Sequence, residues 1–201
     1  LLREWLESNG YAVASTGLKR SVLAGKGIEA AQQGHTLGII TSNLFYATDF
    51  ADRLEKTIIP ALRAGFVVLT DRYIYSMICR AVVRGVDPNW IRDVFSFALI
   101  PDAVFYLSID LQHLVPRVLN DRGLDYWESG LDFSCTRDYF ESYIDYQSRL
   151  LHEFDLISEE FHFHRVDARQ KIPDVFHVLR TDIAELVRDM KPEGEHSASL
   201  G

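Results

Sequence analysis

The stretch "FVVLTDRYIYS", residues 66–76, determines how the rest of the chain is interpreted. An unbroken apolar run from Phe66 to Leu69 ends in Thr70, Asp71 and Arg72. A run without polar alternation is typical of a strand buried on both faces, as in a parallel sheet. Ligands of open α/β sheets bind at the carboxyl ends of the strands. Asp71 and Arg72 are therefore the first candidates for chemistry.

Similar apolar runs alternate with helical patterns along the whole chain. Strands are predicted over residues 11–16, 66–70, 102–110 and 161–168. Helices are predicted after Tyr73 and over residues 1–8, 22–34, 43–65, 88–100, 111–121, 136–154 and 172–190, with Pro60 expected to end or kink the third of these ranges. The alternation indicates right-handed crossovers and a mostly parallel sheet. We predict one α/β domain over residues 1–190 and a disordered tail over residues 191–201.

The composition argues against several classes of protein. The formal charge of -8 disfavours a surface that binds nucleic acid or an anionic membrane, because both require a basic footprint. Cys79 and Cys135 have no metal-like spacing, so a reducing cytoplasm is the expected setting. We find no signal peptide and no apolar stretch long enough to cross a bilayer. The histidines near the C-terminus match no zinc pattern.

Basic residues follow two of the predicted strands. Lys19 and Arg20 come after the first strand, and a helix after Tyr73 would direct Arg80 and Arg84 toward Arg72. Adjacent cations at a strand end suit a phosphate or a carboxylate, since Arg offers a planar fork of donors. A solvated surface loop is the alternative explanation for Lys19 and Arg20.

An acid and two aromatic residues add to this set. Asp71 has the chemistry to hold a hydrated magnesium ion, because Mg²⁺ prefers carboxylates and phosphate oxygens. Alternatively, the strand simply reaches water at Asp71. Tyr46 and Phe50 lie one helical turn apart, with Asp49 and Arg53 beside them. Such a pair either belongs to the core or forms a stacking face for a flat ligand.

Read together, these segments resemble the thymidylate kinases, which phosphorylate dTMP with ATP. "GFVVLTDRYIYS" resembles their Asp-Arg-Tyr strand, and "KRSVLAGKGI" resembles the loop that grips the monophosphate. "LFYATDFADRLEKTIIPALRAG" resembles the helix whose aromatic residue stacks on thymine, and "RGLDYWESG" resembles the lid. The likeness covers nearly the whole chain. It implies a three-layer α/β/α fold of the P-loop NTPase type, with a lid at about residues 121–131.

The resemblance also implies roles for individual residues. Arg20 would bind the monophosphate and Tyr46 would stack on the base. Asp71 would lie near the metal and the attacking phosphate oxygen, an indirect contact with Mg²⁺. Arg72 would contact phosphate at the centre of transfer, and Tyr73 would shape the sugar pocket. In the lid, Arg122 would reach the ATP phosphates, and Glu128 matches an acid of the family.

The chain departs from the family pattern at several positions. Phe50 stands where the family has a phosphate-contacting Arg, and Arg53 is a candidate to compensate for it. Arg80 and Ala81 replace an aromatic-Gln pair, which leaves the base specificity open. Lys19, Phe50, Arg53 and Arg80 are thus substrate-binding candidates.

The largest departure is at the N-terminus. The resemblance places a Gly-rich phosphate loop and a central first strand ahead of residues 1–8, and neither is in this sequence. Such a loop cradles the ATP phosphates and supplies a Lys to the transferred group. We therefore expect this chain alone to be catalytically inert.

The leading hypothesis is a nucleoside monophosphate kinase that transfers the ATP γ-phosphoryl group, with Mg²⁺, to dTMP or a related monophosphate. Two alternatives stay open: a deoxynucleoside kinase, whose acceptor lacks a phosphate, and a non-catalytic nucleotide-binding module. The expected partners are nucleotide substrates. By resemblance, residues 43–62 are a candidate face for a homodimer.

Overall fold

The computed structural model describes residues 1–19, 21–34, 37–134 and 138–190, and within them four strands form two parallel pairs. Strand β1 (Val13–Gly17) pairs with β2 (Val67–Asp71), and β3 (Phe105–Ser108) pairs with β4 (His164–Asp167). The parallel pairing confirms the predicted α/β class. Within the described residues the strands form two separate pairs, in place of the single sheet that we expected.

Helices make the connections that parallel strands require. In chain order they are α1 (Leu2–Ser8), α2 (Gly25–Gly34), α3 (Ile39–Arg53), α4 (Ile59–Arg63), α5 (Ile74–Val83), α6 (Pro88–Val94), α7 (Leu111–Asp121), α8 (Tyr139–Glu160) and α9 (Ile172–Leu186). Helix α6 is shorter than predicted, because residues 95–100 continue the apolar pattern without continuing the helix. The predicted tail, residues 191–201, lies outside the described residues.

The long helical segment that follows α2 continues past Pro60. Helix α3 runs into one π-helical turn, Leu54–Ile58, and α4 then continues to Arg63 with Pro60 in its first turn. A proline inside a helix has no N–H to donate, and its ring clashes with the carbonyl one turn earlier. The wider π turn lies at that carbonyl. The predicted break is therefore a local widening of the helix.

Two apolar clusters hold the helices and strands together. The larger cluster joins α3, α5, α6 and α8 through buried side chains such as those of Phe50, Met77, Ile91 and Tyr146. In the smaller cluster Leu6, Ile183 and Val187 pack against side chains of β1, β2 and β3. Helices α1 and α9 therefore connect the two strand pairs. Among the described residues, no helix has the length and apolar character needed to cross a membrane.

Candidate active site

The carboxyl ends of β1 and β2 open into a cavity of about 1010 Å³. Helices α2, α3 and α5 and the segment 125–133 form its walls. Of the residues singled out from the sequence, the cavity brings together Lys19, Tyr46, Asp71, Arg72, Arg80, Arg84 and Glu128. The position of this cavity agrees with the expectation that ligands bind beyond the ends of parallel strands.

Asp71 and Arg72 lie at the mouth of the cavity, where β2 ends. Arg72 has a φ of 67°, in the left-handed region that a residue with a side chain rarely adopts. The Thr70 hydroxyl donates a hydrogen bond of 2.7 Å to the Arg72 carbonyl and fixes this turn. Partial burial lowers the pKa of Arg72, and the positive charge of Arg80 lowers it further. Within the described part of the chain, neither the Asp71 nor the Arg72 side chain has a hydrogen-bonding partner.

Tyr46 presents its side chain to the cavity from α3. The Gln32 amide donates a hydrogen bond of 2.8 Å to the Tyr46 hydroxyl, and the Gln32 carbonyl accepts one from Lys19. Burial raises the pKa of Tyr46, so the phenol stays neutral at physiological pH. The hydrogen bonds fix the ring beside a cation, an arrangement that suits a flat ligand carrying a negative group.

A buried carboxylate holds the loop that carries Lys19. Asp49 accepts hydrogen bonds from the backbone N–H groups of Lys19, at 3.2 Å, and of Ser21, at 3.0 Å. The Ser21 hydroxyl donates to Asp52 at 2.6 Å. Lys19 has a φ of 58°, which these contacts stabilise. Burial lowers the pKa of Lys19, and the charge of Glu29 partly offsets that effect. Arg20, the predicted monophosphate ligand, lies outside the described residues.

Phe50 and Arg53 do not line the cavity, contrary to the expectation that they contact substrate. Phe50 is fully buried, and its ring packs edge-on against the Tyr73 ring with 5.0 Å between centroids. Arg53 is 2% exposed and donates to Asp49 at 3.0 Å. Arg53 therefore cannot compensate in the cavity for the Arg that Phe50 replaces. Periodicity alone could not distinguish the inward face of α3 from the cavity face.

Tyr73 also lies behind the cavity wall. Its hydroxyl donates a hydrogen bond of 2.8 Å to the Leu99 carbonyl. Burial and the neighbouring Tyr75 raise the pKa of Tyr73 to about 12. The structure thus gives Tyr73 a packing role, and its side chain is not among those that line the cavity.

Arg84 anchors the segment 125–133, a role that the sequence did not indicate. It makes two hydrogen bonds to Asp132, at 2.8 and 3.1 Å, and one of 2.9 Å to the Trp127 carbonyl. It also contacts the hydroxyl of Tyr146, and its guanidinium lies 4.7 Å from the centre of that ring. Burial alone would lower the pKa of Arg84, but Asp132 and Tyr146 outweigh burial and raise it. No local pattern links Arg84 to Asp132, because 48 residues separate them.

The two predicted lid residues form an ion pair, and each lines a different hollow of the surface. Arg122 pairs with Glu128 at 2.6 Å; Glu128 lines the main cavity, while Arg122 lines a hollow of about 660 Å³ beside α7. The Glu128 carbonyl accepts from Gln147 at 2.8 Å, which ties the segment to α8. Within the described residues, Arg122 therefore contacts the main cavity only through its ion pair with Glu128.

The chemistry of the donor set bears on a metal ion. No group of three or more potential metal ligands among His, Cys, Asp and Glu occurs in the described residues, so the C-terminal histidines form no such centre there. A lone exposed carboxylate such as Asp71 fits Mg²⁺, which takes one or two protein carboxylates and completes its shell with water and phosphate oxygens. Asp71 is therefore the residue that would hold the ion.

Comparison with known proteins identifies the family. The thymidylate kinase family model matches residues 1–177. The chain is 34% identical over 189 residues to the probable thymidylate kinase 2 of Saccharolobus solfataricus, covering 93% of this chain and 88% of that protein. It is 32% identical over 200 residues to the thymidylate kinase of Bifidobacterium longum subsp. infantis, covering 94% and 80%. This chain is therefore a member of the thymidylate kinase family of phosphotransferases.

Proposed function

We propose that this protein transfers the γ-phosphoryl group of ATP to dTMP and so forms dTDP and ADP. Family membership supports a monophosphate kinase. The observation that carries the proposal for this chain is the cavity, which sets the Tyr46 ring beside the cations Lys19 and Arg72 at the ends of two parallel strands. A nucleoside monophosphate has the complementary groups: a flat base that can stack on Tyr46 and a phosphate dianion that can bind the cations.

The acceptor lies in the cavity with its base on Tyr46. Its phosphate lies near Lys19 and Arg72, whose positive charges orient the phosphate group, and the family resemblance adds Arg20 as a candidate. Asp49 does not line the cavity, but its hydrogen bonds hold the Lys19 loop in its strained conformation. Holding both reactants in place supplies much of the catalysis of phosphoryl transfer.

Transfer is an in-line displacement at phosphorus. An oxygen of the acceptor phosphate attacks the γ-phosphorus while the bond from that phosphorus to the β,γ-bridging oxygen breaks, and ADP leaves. The attacking oxygen carries no proton at neutral pH, since the second pKa of a phosphomonoester is about 6. Arg72 and Arg122 offset the negative charge that shifts between the oxygens. Bound Mg²⁺, held through Asp71, would add charge neutralisation on the phosphates.

Two alternatives make different predictions about the acceptor. A deoxynucleoside kinase would use thymidine, and a non-catalytic module would bind nucleotides without turnover. The cations of the cavity favour a phosphorylated acceptor, because thymidine offers them no anion.

The test measures ADP release by the protein expressed from its complete gene. With ATP and Mg²⁺, we expect turnover of dTMP and none of thymidine. Arg20→Ala should weaken dTMP binding by roughly tenfold or more, the effect of one lost charge-assisted hydrogen bond, and leave thymidine binding unchanged. Turnover of thymidine in place of dTMP would favour the nucleoside kinase. Binding of dTMP with no turnover of any monophosphate would favour the module.

Two further features are part of the proposal. Exposed apolar residues on α3 and α4, namely Ile40, Leu44 and Leu62, support a homodimer through this face. The buried thiol of Cys79 is free, in keeping with a reducing compartment, and Cys135 lies outside the described residues.

A further inference from the structure

Arg80 is a cation of the cavity that forms no ion pair within the described part of the chain. Among the described residues, its guanidinium makes one long hydrogen bond, 3.5 Å to the Tyr146 hydroxyl, and pairs with no carboxylate. Its Nε atom is buried and has no hydrogen-bonding partner there. Arg84, one turn later at the C-terminal end of α5, differs from Arg80 because it forms an ion pair with Asp132.

Other cations share the cavity with Arg80, and carboxylates such as Asp71 and Glu128 also line it. Lys19 and Arg72 line the same cavity, and the charge of Arg80 helps to lower the pKa of both, although burial is the larger cause. Lys19 makes its side-chain hydrogen bond to a neutral group, the Gln32 carbonyl. Positive charges that are partly removed from water repel one another, and no carboxylate of the described residues forms an ion pair with Arg80 to offset that repulsion.

Helix α3, which forms another wall of the cavity, contributes no unpaired cation to it. Phe50 lies in the core, and the buried Arg53 forms an ion pair with Asp49. Positive charge beside Tyr46 therefore comes from Arg80 on α5 and from Lys19 and Arg72 at the strand ends, and none comes from α3. A carbonyl of a base offers only a partial charge to such a guanidinium, whereas a phosphate dianion offers full charge and several acceptor oxygens.

We infer that Arg80 binds the phosphate of the acceptor nucleotide, together with Lys19 and Arg72, and does not bind its base. The inference rests on the proposed function, because that function supplies the identity of the acceptor. It assigns to α5 the phosphate-binding cation that α3 does not present to the cavity.

The experiment compares dTMP with thymidine, which differ only in the phosphate. Calorimetric titration of the complete protein gives the dissociation constant of each ligand for the wild type and for Arg80→Met. We expect dTMP binding to weaken by roughly 10- to 100-fold, as for a lost hydrogen bond to a charged group, with thymidine binding unchanged. Unchanged thymidine binding also shows that the variant is folded.

Two more variants complete the design. Arg80→Lys keeps a positive charge and should recover part of the dTMP affinity. Arg149→Met removes an exposed cation that pairs with Asp145 on α8, and it should leave both ligands unaffected. An equal loss for dTMP and thymidine in Arg80→Met, or no loss for either, would overturn the inference alone. A wild-type protein that binds neither ligand would overturn the proposed function as well.

Discussion

Asp49 shows how one buried side chain positions a loop at the edge of the cavity. Its carboxylate accepts from two backbone N–H groups of the Lys19 loop and from Arg53, and it has no exposed surface. A charge removed from water to this degree is stable only when it is paired and hydrogen-bonded. Asp49 therefore holds the loop directly and Arg53 neutralises Asp49, while neither side chain lines the cavity.

Asp49→Asn should change both stability and substrate binding. The variant leaves Arg53 as an unpaired buried cation, so we expect a loss of about 3 kcal/mol in the free energy of unfolding. It also removes a charged acceptor from the loop, and the KM for dTMP should rise by roughly tenfold. Urea unfolding and initial-rate kinetics measure the two effects.

A double variant separates these effects. Asp49→Asn with Arg53→Met removes the unpaired cation and should recover most of the stability, while the KM for dTMP stays raised. If the KM returned to the wild-type value together with the stability, Asp49 would have a purely structural role.

At the scale of elements, the segment 125–133 is fastened at several points to α5 and α8. Gly130 lies in the middle of it with a φ of 66°. A Cβ atom at this position would lie 2.7 Å from the Phe133 ring and 2.9 Å from Tyr146. Both the backbone conformation and the close approach therefore require glycine.

Gly130→Ala tests how firmly this segment is packed, with Gly123→Ala as the matched control. Gly123 has a φ of 76° and open space around its Cα. The control should cost about 1 kcal/mol of unfolding free energy from the left-handed backbone alone. Gly130→Ala should cost about 2 kcal/mol more, because Phe133 or Tyr146 must move. Equal losses in urea unfolding would mean that the segment yields without strain.

Local patterns predicted the elements well, and they predicted the contacts between elements less well. The apolar run before Asp71 gave β2, and the alternation of runs gave the parallel connection to β1. The π turn before Pro60 was missed, since a proline usually ends a helix and nothing in the sequence marks its accommodation. The Arg84–Asp132 pair was missed as well, because it depends on how α5 and a distant segment meet.

The candidate site was predictable in part for the same reason. Asp71, Arg72 and Lys19 follow strands, so topology alone brings them to one edge. Tyr46 and Phe50 share a helix face in the sequence, yet the structure sends Tyr46 to the cavity and Phe50 to the core. Two residues one turn apart on α3 therefore face different surroundings, the cavity and the core. Tertiary packing determines which residue faces which.

At the scale of the whole molecule, α3 and α4 carry large apolar side chains that are exposed. Ile40 and Leu44 lie one turn apart and are 50% and 46% exposed. We expect the complete protein to have twice its monomer mass by light scattering, and Leu44→Glu to shift it to the monomer, because paired carboxylates cannot be buried cheaply. A wild-type protein that is monomeric at micromolar concentration would contradict this prediction.

The left-handed backbone at Lys19 and Arg72 sets stability against activity. At each position glycine would relieve about 1 kcal/mol of conformational strain, and at each it would delete a positive charge from the cavity. A laboratory selection for heat resistance alone would therefore enrich glycine at both sites and return robust proteins with impaired catalysis.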